Sequence, residues 1–85
     1  MSSDLPTFDE VLGQSAGLIH GELVDRTRVV DALLDLRNTA VSEALVEVID
    51  AALRNLPGRT TVRAAWWQGL LDELSLAAEL ELNAT

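Results

Sequence analysis

His20 is the sole imidazole in the chain, and cysteine, lysine and tyrosine are all absent. Acid–base, nucleophilic or metal chemistry would therefore have to be built from carboxylates, arginines and His20. No second histidine or glutamate stands at metal-ligand spacing from His20. A metal site would rest on scattered carboxylates, whereas a lone histidine near the end of a helix is placed where the dipole favours a cation. The carboxylates fall as Asp9-Glu10, Asp72-Glu73 and a Glu43/Glu47/Asp50 set, all on the polar faces of predicted helices. Such faces are solvated by their charge, and an acid–base pair would need a pocket around it. The sequence carries no glycine-rich phosphate loop and no nucleophile elbow. These residues imply no cofactor, no metal and no catalytic set. The one constellation that suits a substrate is the six arginines, Arg26, Arg28, Arg37, Arg54, Arg59 and Arg63. Brought together by folding, they would hold an anion, as in a small helical enzyme.

Two other groups of residues point to contact rather than catalysis. Trp66 and Trp67 are adjacent and project about 100° apart on a helix, so both enter apolar surroundings only if the helix is covered on two sides. Leu70 and Leu74 extend the same apolar face. The second group is the ladder Gly13, Gly17 and Gly21, spaced four apart, a pattern that lets helix backbones approach closely. Trp66, Trp67, Leu70, Leu74, Gly13 and Gly17 are accordingly the candidate interface residues.

The elements that must position them follow from periodicity and punctuation. After Pro6, Thr7 with Glu10 three residues on forms a capping box, and the spacing predicts a helix from about Phe8 to His20, with Phe8, Val11, Leu12, Ile19 and Leu23 on its apolar side. Gly21 is placed to end it in the left-handed conformation. Asp25 caps a second helix over about Arg26–Arg37, with Val29, Leu33 and Leu36 inward. A short connection through Asn38–Ser42 leads to a third, whose stripe is Val41, Leu45, Val48 and Ala52 and which ends at Leu56. Pro57-Gly58 signals a turn. A fourth helix opens at Thr60 or Thr61 and reaches about Leu80. No strand pattern and no internal repeat are expected.

The fold class is thus all-α, a small bundle of about four helices joined by short turns. Residues 1–85 form a single domain, with residues 1–6 a flexible N-terminus and 83–85 a frayed end. A monomer of this mass folds with roughly 4,900 Å² of accessible surface against roughly 13,300 Å² unfolded, and so hides about 63% of it. Yet 48% of the residues are apolar and the mean hydropathy is +0.19. Uncovered apolar surface makes a homo-oligomer or a complex with a partner protein the expectation.

The net charge of −8 is unevenly placed. Met1–Asp25 and Ala64–Thr85 carry acids and no cation, while the arginines lie between. This balance repels phosphate backbones and anionic membranes and suits a basic partner. The second and third helices would imitate a helix-turn-helix, but with Glu43, Glu47 and Asp50 toward the groove, the wrong sign for DNA. With no signal segment and no membrane-length apolar run, a cytoplasmic protein is expected. The sequence reads as a non-catalytic protein-interaction module, a homodimer or a subunit of a complex. The first alternative is an acidic regulator, inhibitor- or antitoxin-like, that covers the basic nucleic-acid-binding surface of a partner; the second is the arginine-lined enzyme.

Overall fold

Thr7, Asp25 and Ser42 each stand where extended chain turns into a helix, and each side-chain oxygen takes a main-chain N–H of the first turn: Glu10 N at 3.2 Å, Thr27 N at 3.1 Å and Leu45 N at 3.3 Å. In the computed structural model, which describes residues 7–56 and 58–83, these caps open α1 (Phe8–Ala16), α2 (Arg26–Thr39) and α3 (Glu43–Arg54). The last helix is α4 (Ala64–Asn83). Two short strands, β1 (Leu23–Asp25) and β2 (Thr61–Arg63), pair antiparallel with Val24 opposite Val62. The protein is therefore mostly helical, with four helices and a small two-stranded sheet among the described residues.

The sheet corrects the all-helical expectation. Thr61, Val62 and Arg63 form β2 instead of the first turn of the fourth helix, and Leu23 lies in β1 instead of on the first helix. A three-residue strand sends one residue inward, so it leaves no alternation for periodicity to detect. Here Val24 and Val62, 3% and 1% exposed, are those inward residues. The first helix stops at Ala16, well before His20, and Gly17 caps it with a right-handed backbone. No described glycine has positive φ, so Gly21 is not a left-handed stop. The third helix is also displaced. Ser42 caps it, which leaves Val41 outside and exposed, and its inward face is Leu45, Ile49 and Ala52. The second helix buries Val29, Leu33 and Leu36 as expected, together with Ala32. Residues 1–6, Pro57 and 84–85, on which a flexible start, a turn and a frayed end were expected, lie outside the described residues, while Asn83 is within α4.

The core is one cluster. Val29, Leu33 and Leu36 of α2 meet Leu45 and Ile49 of α3, Trp67, Leu71 and Leu74 of α4, and Phe8 and Val11 of α1. Two polar ties fix the helices around it. The Trp67 indole N–H donates to the Ser15 carbonyl at 3.0 Å, joining α4 to α1, and Arg37 Nε donates to Asp50 Oδ1 at 2.9 Å, joining α2 to α3.

The chain repeats itself, contrary to the reading of the sequence. Helix–strand–helix occurs twice, and the second unit follows the first by 38 residues: α1 and α3 end at residues 16 and 54, the strands start at 23 and 61, and α2 and α4 start at 26 and 64. The main chain obeys the same offset. Arg26 N–H donates to the Thr60 carbonyl at 2.9 Å, and its counterpart Ala64 N–H donates to the Glu22 carbonyl at 2.8 Å. The buried set Val24, Val29, Ala32, Leu33 and Leu36 maps onto Val62, Trp67, Leu70, Leu71 and Leu74. An antiparallel pair centred on two equivalent valines relates the halves by a local two-fold, and α1 touches α4 as α3 touches α2.

Leu33 and Leu45 are wholly buried on opposite sides of the α2–α3 contact. Leu33→Ala or Leu45→Ala is expected to cost about 2–5 kcal/mol in denaturant unfolding. Val41→Ala, outside the helix and exposed, should change stability by less than about 0.5 kcal/mol.

Candidate functional site

Ala44, Val48 and Ala51 of α3 face Ala65, Trp66, Gly69 and Leu70 of α4 across an open groove of about 770 Å³. Every one of these is apolar or lacks a side chain. Two carboxylates join this lining, Glu47 from α3 and Glu73 from α4, both exposed, with Asn55 at the end of α3. No arginine lines the groove. On α4 the stripe continues: Trp66, Gly69, Glu73, Leu76 and Leu80 fall within about 80° of one another at helical spacing. Leu76 and Leu80 are 58% and 61% exposed.

Trp66 is half-buried and borders two hollows. One is the α3/α4 groove; the other, about 340 Å³, lies against the sheet and is lined by Leu23, Arg59, Thr61, Val62, Arg63 and Trp66. The remaining candidate residues divide. Leu70 lines the groove beside Trp66. Trp67 and Leu74 are fully buried within the chain's own core, the indole held by Ser15. Gly13 and Gly17 are exposed on α1 and its cap, and neither borders the groove. Because α1 ends at Ala16, the three glycines of the ladder do not share one helix.

The arginines spread over several elements. Arg59 and Arg63 share the hollow beside the sheet, Arg28 lies on α2, Arg37 is paired with Asp50, and Arg54 is in the last turn of α3. His20 is exposed in the link after α1. Among the described residues no group of three histidines or carboxylates is placed to hold a metal ion, and no helix is long and apolar enough to cross a membrane.

The 38-residue repeat provides the groove with a counterpart. Between α1 and α2 lies a smaller hollow of about 240 Å³, whose lining includes Gln14, Arg28, Asp31, Ala32 and Asp35. Those five positions correspond to Ala52, Trp66, Gly69, Leu70 and Glu73, all of which line the α3/α4 groove. At three of the five equivalent positions a polar residue, Gln14, Arg28 or Asp31, stands where the α3/α4 groove has Ala52, Trp66 or Gly69, while Ala32 and Leu70 are both apolar and Asp35 and Glu73 both acidic. The chain matches no protein-family model, no curated protein and no solved structure.

Sequence reading missed Gly69, although its position in the middle of the fourth apolar pattern was a signal. Glycine inside a helix costs about 0.8–1.0 kcal/mol relative to alanine. A Cβ at Gly69 would meet nothing within 4 Å, and the same holds at Gly13, whereas at Gly17 it would come 3.2 Å from the Gln14 carbonyl oxygen. Gly69→Ala and Gly13→Ala are each expected to raise stability by about 0.4–1 kcal/mol in thermal or denaturant unfolding, with a smaller gain for Gly17→Ala.

Proposed function

We propose that this chain is a non-catalytic protein–protein interaction module, acting as a homodimer or as a subunit of a complex, and that the α3/α4 groove is its contact surface. The observation that carries the reading is the difference between the two equivalent grooves. Arg28 and Asp31 stand at the positions equivalent to Trp66 and Gly69, which supports reading the exposed part of Trp66, whose remainder packs against the core, and the bare Gly69 as serving contact. An exposed apolar groove with a tryptophan at one end has the composition of an interface centre. Gly69 leaves the middle of that wall bare, which lowers helix stability and lets another backbone approach.

A second reading is favoured by the carboxylates of the groove. Glu47 and Glu73 line it with no arginine among its lining residues, in a chain of net charge −8. That arrangement suits an acidic regulator that covers a basic, nucleic-acid-binding surface of another protein.

The test uses a substitution that the fold accepts. Gly69→Leu points a side chain into open space and keeps a good helix former. Self-association measured by sedimentation and partners recovered by native co-purification are compared between the natural chain and this variant. The reading expects an association present in the first and missing from the second at an unchanged or higher melting temperature. No association, or one that survives Gly69→Leu, contradicts it.

A further inference from the structure

We infer that the occupant of the α3/α4 groove is an amphipathic helix of a partner protein, with a small aliphatic face flanked by lysine or arginine. This rests on the reading of the groove as a contact surface and adds the chemistry of what fills it. The length comes from α4: from Trp66 to Leu80 the stripe runs about 21 Å, the rise of about 14 helical residues. The groove lies along the first part of that span, from Trp66 to Glu73, and exposed Leu76 and Leu80 extend it along α4 past Glu73, which fits an amphipathic helix laid against α4.

The charge of the occupant follows from the carboxylates in the lining. Glu47 on α3 and Glu73 on α4 both line the groove, so a helix seated there meets a carboxylate from each of its two walls. A second copy of this chain fits poorly. The described parts of α1 and α4 carry acids and no cation, and α3 carries Glu43, Glu47 and Asp50 against Arg54. Laying any of these three in the groove would oppose like charges. The remaining helix, α2, carries Arg26, Arg28 and Arg37 against Asp31 and Asp35, but Arg37 is paired with Asp50, and with Val29, Leu33 and Leu36 in the core Leu34 is the large apolar residue it leaves exposed, too little to fill the groove. A cationic helix from elsewhere meets both the apolar and the electrostatic demand.

The pseudo-equivalent groove supplies the control that a strongly acidic protein needs, since any cation is drawn to it. Asp35 occupies the position of Glu73, and Asp31 that of Gly69. The probes are two fluorescently labelled synthetic helices of about 14 residues, the length of the stripe. Both carry leucine and alanine on one face; one has lysine opposite and the other glutamate. Anisotropy titrations at low and high salt are run on the full chain, on Glu47→Gln/Glu73→Gln, on Gly69→Leu and on Asp31→Asn/Asp35→Asn. The melting temperature of each variant is recorded alongside.

The lysine peptide is expected to bind saturably and more weakly as salt rises. Glu47→Gln/Glu73→Gln should weaken it about three- to tenfold, Gly69→Leu should abolish it, and Asp31→Asn/Asp35→Asn should leave it within about twofold. Equal weakening by the two charge-removing pairs would show attraction to net charge alone and overturn the inference, as would equal binding of the glutamate peptide. If neither peptide binds while the chain self-associates in a way that Gly69→Leu abolishes, the groove is a contact surface between copies; the interaction reading then stands and the cationic helix falls. Absence of both peptide binding and self-association overturns the inference.

Discussion

The pairing of Val24 with Val62 is the constraint on which the rest of the molecule depends. Two strands of three residues have little stability alone, yet each leads directly into a helix, so their register fixes where α2 and α4 begin and which way they leave the sheet. The reciprocal main-chain bonds from Arg26 to Thr60 and from Ala64 to Glu22 bind each helix start to the opposite half. Neither half can form these bonds by itself. Sequence-distant segments are thereby locked at the first turn of the two helices that supply most of the core, and Trp67, reaching the Ser15 carbonyl, ties α4 to α1 as well.

Much of this arrangement is readable from residue types. Thr7 and Asp25 announce their helices because a short oxygen-bearing side chain before an apolar pattern satisfies N–H groups that the helix cannot. Val29, Leu33 and Leu36 repeat at helical spacing and are inward. What periodicity could not supply was long-range. β1 and β2 exist because each has the other, and the repeat is carried by a few core positions, Val24 with Val62, Leu33 with Leu71 and Leu36 with Leu74, among divergent surface residues. Val41 fits the stripe of the third helix, but the cap at Ser42 excludes it, and local capping outweighs a single apolar match.

The groove shows the same division. Trp66 and Leu70 stand out by type, and the structure places them together. Trp67 and Leu74 have equally apolar character and are in the core, since the sequence of one helix does not tell which of its faces a neighbour will cover. Ala44, Val48, Ala51 and Gly69 acquire significance only when α3 and α4 face each other. Within the repeat, conserved geometry with divergent lining separates what folding needs from what it merely permits. The strands, α2 and α4 bury equivalent positions, while Trp66 and Gly69 on one side stand where Arg28 and Asp31 stand on the other.

Transferring one groove's chemistry to the other tests this separation most directly. The double variant Trp66→Arg/Gly69→Asp gives the α3/α4 groove the residues that its counterpart already carries at Arg28 and Asp31. Its melting temperature and its affinity for the lysine-bearing helical peptide are measured beside those of the natural chain. A cooperative fold melting within a few degrees of the natural protein, with no saturable peptide binding, is expected. Loss of the fold would mean that the apolar groove is structural, and retained binding would mean that the contact surface lies elsewhere; either result overturns the assignment of the groove to contact.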